Sequence, residues 1–427
     1  MSITIEDNIP EYNAAYNEQE LAVSSDQVGQ PGFHYVFRVN VEGIAGFKEF
    51  WVLPEPSQQY GVKDFSGYVE RFVHATIFDP DSTAAFEYAT GPGIQSIVKY
   101  DIDIYELWNT GSPAEPTLDP DGNGAVNTGD KYAFEASFPH HEWIDEQNEA
   151  TPYNQWFLNP TNGTAGEFLT DNKLPRVKQA DHGWTYLLTD QPADVDFVEI
   201  VTYDEDDNVI QTVNINNLLV SSNTTARMLR VATSPASLNA VVGGIVLGSQ
   251  PIVTDAVKSY TIQCFQSGPN VVSEILSFTV EEPCRYEPIR IHFLNQYGGF
   301  DSFNFNWRNQ ESDSTKKANG MYDPYRVVSG GLSYENQDSS KGTLQTTTTT
   351  NIKARSEYLT EAENDWLRQL FRTRKIFLEK TNKAGNTDLY PISDIRGPWS
   401  QKVKSIDKLF NLDVDFTMSW DDHSQRR

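Results

Sequence analysis

The sequence has 427 residues, with 60 Asp and Glu against 33 Lys and Arg and a formal net charge of −27. Nucleic acid phosphates and anionic bilayers both select basic surfaces, so this charge argues against generic binding to either. No apolar run approaches the ~18 residues of a membrane-spanning helix. The 38% hydrophobic content suits the cores of roughly two to four domains. With 9 Trp, 20 Tyr and 23 Phe but 4 Met, it describes a mainly β chain rich in turns.

The charge is uneven. Residues 1–284 hold 12 basic and 41 acidic side chains, net −29, and residues 285–427 hold 21 and 19, net +2, which places the main boundary at Pro283-Cys284. The opening "MSITIEDNIPEYNAAYNEQELAV" has neither a basic n-region nor an apolar core, so no secretory signal is expected. In a chain made in cytoplasm, Cys264 and Cys284 are expected to be free buried thiols, with a disulfide between them the lesser alternative.

In chain order, residues 31–55 alternate as strand, with Phe33, Tyr35, Phe37 and Val39 on one face and a turn at Glu42-Gly43. The stretch "DFSGYVERFV", 64–73, reads as a short helical turn, and "IQSIVKYDIDIYELW", 94–108, as a strand with one slip or bulge. Together they give an N-terminal β domain over 1–150 with an Asp- and Gly-rich insertion. A second block, 151–284, contains "DFVEIVTYD" and "VIQTVNI". It ends in two alternating strands around Ser267-Gly268-Pro269-Asn270, a pattern expected of a fibronectin-like or immunoglobulin-like β-sandwich.

The block 285–427 opens with "IRIHFLN" and "DSFNFNW" around Tyr297-Gly298-Gly299-Phe300. A long hairpin from Trp307 to Arg355 follows, with "NQESDSTKKANG" as its polar loop and Thr346–Thr350 as strand. In "YLTEAENDWLRQLFRTRKIFL", Thr360 and Glu363 form a capping box, and Trp366, Leu367, Leu370 and Phe371 form one apolar stripe. With the later "KIFLE", "LYPIS" and "LFNLDVDFTMSW", this block reads as roughly eight strands with one helix laid on a sheet.

The sharpest chemical motif is "LDPDGNGAVNTGDKYAFEASF", 118–138. Counted from Asp119, it places Asp119, Asp121, Asn123, Asn127 and Asp130 at positions 1, 3, 5, 9 and 12, with Gly124 at position 6 and the carbonyl of Ala125 at position 7. That is EF-hand ligand spacing, and calcium takes about six to eight oxygens. Against it, Asp130 is shorter than the usual Glu and the flanks look like strand, so a plain polar hairpin loop is the competing reading. A bound calcium ion would stiffen the insertion. His140-His141, with Glu142 and Asp145, would point to opposite faces if on a strand and so make a poor metal pair. There is no phosphate loop, no G-x-S-x-G elbow and no identifiable acid–base carboxylate pair. The sequon Asn162-Gly-Thr164 carries no meaning without a secretory route.

The ordered set "QPGFHYVFRVNV", "ARMLRVATSP", "YTIQCF", "SEILSFTVEEPC", "RIHFLNQYGGFDSFNF", "LTEAENDWLRQLFRTRKIFL" and "KLFNLDVDFTMSW" spans most of the chain. It resembles virion structural proteins of tailed bacteriophages that infect Bacteroidota. The resemblance implies a non-enzymatic tail or baseplate subunit, located in the virion and assembled in host cytoplasm. It also implies a tail-tube-like C-terminal domain, and as partners copies of itself in a ring and other tail, baseplate or neck proteins. Collar or head-decoration protein and glycan-binding adhesin are the alternatives, and an acidic glycoside hydrolase ranks below them.

Overall fold

In a computed structural model of the chain, the structure describes residues 3–88, 90–91, 94–110, 115–143, 154–158, 165–189, 194–219, 228–266, 270–282, 286–333, 335–336, 340–397, 399 and 410–423. The protein is mainly β and divides into two compact units, Met1–Glu281 with Asn295–Asp301, and Glu282–Leu294 with Ser302–Arg427. None of the described helices is long and apolar enough to cross a membrane.

The first unit is built on several sheets. One contains β1 (Tyr12–Ala14), β2 (His34–Val41), β3 (Phe47–Val52), β4 (Ile97–Asn109) and β5 (Lys131–Phe134), in the spatial order β1-β5-β4-β2-β3. Period-2 alternation sends Tyr35, Phe37 and Val39 of β2 and Tyr100, Ile102 and Ile104 of β4 into one core. The expected helical turn forms as Ser66–Val69 followed by a 3-10 turn, Glu70–Phe72, and packs Phe65, Val69 and Val73 into that core. Each such side chain contributes about 1.5–3 kcal/mol by leaving water. Pairing of β4 runs in unbroken register with β5 from Ile97 to Tyr100 and with β2 from Tyr100 to Leu107, so the slip expected in 94–108 does not form within the strand; the chain bends at Ser96, before β4 begins.

Another sheet of this unit orders Arg176–Val177, Leu276–Val280, Ser259–Gln266, Phe197–Tyr203, Val209–Asn216 and Ile245–Leu247 side by side. Its inner row includes Val198, Ile200, Tyr260, Ile262 and Cys264, all fully buried. Stretches 1–150 and 151–284 share a four-stranded sheet, in which Phe86–Tyr88 pairs antiparallel with Met228–Ala232. Cys264 is a free buried thiol whose pKa burial pushes up to about 12, whereas Cys284 lies outside the described residues.

The second unit is organised by one seven-stranded sheet. Its strands are β6 (Ile289–Leu294), β7 (Phe300–Phe305, in this unit from Ser302), β8 (Gln310–Met321), β9 (Lys341–Arg355), β10 (Ile376–Thr381), β11 (Thr387–Arg396) and β12 (Asp413–His423), in the order β7-β6-β10-β11-β12-β9-β8. Helix α1 (Glu361–Trp366) starts at the expected capping box, with Thr360 accepting from the Glu363 amide and Glu363 accepting from the Thr360 amide at 2.8 Å. It runs into a 3-10 turn, Leu367–Phe371, so the single helix expected here is split in two types. Trp366, Leu367 and Leu370 are buried against Phe293, Phe303, Phe305 and Phe416 of the sheet, and Phe371 packs at the margin.

One expectation is corrected. "NQESDSTKKANG" is not a hairpin loop, because Gln310–Met321 is strand β8, paired with β9 from Gln310↔Lys353 to Met321↔Lys341. Both of its faces meet solvent, so its sequence lacks the apolar alternation that marks a half-buried strand. The Thr run does form strand, within β9, which pairs with β8 on one side and β12 on the other.

Candidate functional site

The Asp119–Asp130 segment runs along β4. Pro116–Leu118 pairs with the end of β4, and Val126–Asn127 pairs farther back, with Asn127 opposite Asp103. Between these contacts the chain turns tightly, with positive φ at Asp119 (49°), Gly122 (70°) and Gly124 (79°). Glycine adopts that region freely; for Asp119 the strained backbone is offset by its side chain, which organises the turn. Oδ1 of Asp119 accepts the amide of Asn123 at 3.0 Å and Oδ2 accepts that of Gly124 at 2.9 Å. The Asn123 side chain donates to Asp121, and Ala125 is exposed.

Positions 9 and 12 of the motif are engaged elsewhere. Asn127 donates its amide to Asp101 Oδ1 at 2.9 Å and to Asp103 Oδ1 at 2.7 Å, while its own carbonyl oxygen accepts the Gly129 amide at 2.7 Å. Asp130 pairs with Lys99 at 2.8 Å and thereby holds the Lys99 ammonium above its usual range. The six residues therefore split into a closed turn at 119–124 and two attachments to β4. Oxygens of Asp119, Asp121, Asn127 and Asp130 accept from protein donors, whereas a calcium loop would turn all six onto one ion. Among the described residues, no group of three or more His, Cys, Asp or Glu is placed to hold a metal ion.

The attachment of Asn127 extends a polar and aromatic array on the outward face of the sheet. Asn40 on β2 donates to Asp101 Oδ1 at 2.9 Å and to Asp103 Oδ2 at 3.1 Å. Arg38, two residues before, bonds Glu49 of β3 at 2.7 Å. Its guanidinium lies over the rings of Phe47 (4.5 Å) and Tyr105 (4.7 Å). Trp51, 59% exposed, stands edge-on to His34 on the same face.

No protein-family model matches the chain, and no curated protein matches it. The remaining sequence candidates do not assemble a site. His140 and His141 fall in a short helical turn rather than a strand, with Trp143 N–H bonded to the Pro139 carbonyl, and His141 lies 3.6 Å from Glu142. Asp145 and the Asn162-Gly-Thr164 sequon lie outside the described residues. Tyr297-Gly298-Gly299 is a strand-to-strand turn in which Asn295 accepts the amides of Tyr297 and Gly299, both at 3.0 Å.

His292 sits in a polar row that no sequence motif marks. Its Nδ1 is 2.7 Å from Ser302 Oγ and its Nε2 is 2.9 Å from Glu379 Oε2, with Arg290 Nε 3.3 Å from the same oxygen. A serine, an imidazole and a carboxylate in series are the parts of a hydrolytic relay. Here the imidazole is fully buried, and in such a relay it must reach a substrate, so the row reads as a polar network across β7, β6 and β10. No sequence signal marks it, because the three residues come from separate strands.

Proposed function

We propose that the chain is a non-enzymatic structural subunit of a tailed-phage virion, a ring-forming tail or baseplate component whose second unit is tail-tube-like. The family resemblance supplies the class, and the hairpin of β8 and β9 supplies the physical argument. Eleven of the twelve residues of β8 are exposed, on both faces of the strand. The chain between the two strands adds a small hairpin, Arg326–Val328 with Gly331–Ser333. Apolar side chains stand in solvent along this arm, including Met321 (85% exposed), Val327 (81%) and Leu332 (54%). A ribbon with no core of its own gains stability chiefly by packing on a neighbour, and β8 is a sheet edge able to pair with another strand.

On this reading the neighbours are copies of the same chain in a ring, together with adjoining tail, baseplate or neck proteins. The near-neutral residues 285–427 suit close contact between copies, while the acidic residues 1–284 discourage nonspecific association. The test is to locate the subunit in an electron-microscopy map of the particle. Density for the chain in a symmetric tail or baseplate ring, with the hairpin at the subunit boundary, supports the proposal. Its placement on the head or collar, or its absence from particles, overturns it.

A further inference from the structure

We infer that the outward face of β2, β3 and β4 is a binding platform for a neutral saccharide, an activity that does not depend on assembly into a particle. The sheet positions three aromatic side chains on that face: Phe47 and Trp51 from β3 and Tyr105 from β4. Phe47 and Trp51 are four residues apart on one strand, about 13 Å along it. Trp51 and Tyr105 flank Val36 on the two strands adjacent to β2. Phe47 is 52% exposed and Trp51 59%. The Arg38 guanidinium already stacks on Phe47 and Tyr105, so Trp51 presents the ring that receives the C–H face of a pyranose, whose hydroxyls project from its rim and need hydrogen-bonding partners in the same plane.

Those partners lie between and beside the rings. Arg38, Asn40, Asp101 and Asp103 share the face, and the Asn40 and Asn127 amides fix both carboxylates. This leaves Asp101 Oδ2 and Asn40 Oδ1 without a hydrogen-bond donor among the described residues. The indole N–H of Trp51 likewise has no acceptor there, while Arg38 is engaged by both Glu49 and Tyr105. Each sugar hydroxyl both donates and accepts, so a face offering fixed acceptors and donors beside a ring matches it in kind. Because the groups are locked by one another on a central sheet, little ordering is required on binding.

Other occupants fit less well. A protein-interface core is depleted of charge and needs contiguous apolar area. Here Arg38, Glu49 and Asp103 form one cross-strand row between Phe47 and Trp51. Nucleic acid and acidic polysaccharides would meet Asp101 and Asp103 on a chain of net charge −27.

The test is affinity electrophoresis of the full chain in native gels cast with mannan, dextran or laminarin, and with alginate as the anionic comparison. At least one neutral polysaccharide is expected to retard the protein and alginate is not. Trp51→Ala, at an exposed position, is expected to weaken retardation at least tenfold with an unchanged melting temperature, and Asp101→Ala to weaken it as well. The inference is overturned if no neutral polysaccharide retards the wild type, if Trp51→Ala binds as before, or if alginate is preferred. Trp51-dependent self-association in sedimentation would equally overturn it, by assigning the face to a second copy.

Discussion

Asn127 donates its side-chain amide to Asp103 at 2.7 Å, so the ninth position of an apparent calcium loop is joined to a strand of the sheet it crosses. With Asp119 closing the 119–124 turn through two backbone amides, protein hydrogen bonds already give the segment its shape. Chelation is therefore expected to leave the melting temperature unchanged. Asp119→Ala is expected to cost about 1 kcal/mol by stripping two amides of their acceptor. Thermal melts with and without chelator check both, and a calcium-dependent rise of several degrees would establish the metal reading instead.

Much of the fold was legible because burial leaves a period in the sequence. Tyr35, Phe37 and Val39 announced a strand, and Thr360 with Glu363 announced a helix start. Strand β8 was not legible, since a ribbon wet on both faces imposes no alternation. The loop was half legible: oxygen spacing was visible, but its direction of use was set by Asp101, Asp103 and Lys99, 20 or more residues away. The outward aromatic face was hidden for a related reason. Phe47, Trp51 and Tyr105 become neighbours only once β3, β2 and β4 pair in register.

The capping box supplies a local test of the second unit. Thr360→Ala removes the acceptor for the Glu363 amide at the start of α1, whose Trp366 is buried in the core. A loss of about 1 kcal/mol is expected in urea denaturation, and Thr360→Ser is expected to recover most of it.

Acid should loosen the base of the long hairpin. Arg355 of β9 binds both carboxylate oxygens of Asp413 on β12, and these hydrogen bonds hold the Asp413 carboxyl below its ordinary range. A carboxyl whose folded pKa is depressed adds stability above its unfolded value, ~3.9. That stability is lost as pH falls through the folded value. Both side chains are about half exposed, so water screens the pair and the effect is small. Asp413→Asn should flatten the decline in stability below about pH 4. The difference from wild type should shrink in ~1 M salt, where the Debye length is ~3 Å.

A larger penalty is expected at Arg230, whose buried guanidinium bonds Glu87 across the strands that join 86–88 to 228–232. Glu87→Ala leaves that cation in a poorly hydrated site and is expected to cost about 3–5 kcal/mol. Removing the charge instead, with Arg230→Met, should be milder, and the double variant should regain part of the Glu87→Ala loss. Denaturation of the two single variants and the double variant closes the cycle.

The arm allows folding and assembly to be separated. Val327 and Leu332 face each other across the small distal hairpin and are largely exposed, so neither contributes to the packed core of the second unit. Substituting both with Asp should therefore leave the melting temperature within a degree or two of wild type. If these side chains pack on a neighbouring subunit, each buried carboxylate would carry a desolvation penalty there, and assembly should fail in proportion. The check is complementation of particles lacking the native subunit, read as infectious titre and as incorporation of the variant chain. A variant with an unchanged melting temperature that still builds normal particles would remove the arm from the interface.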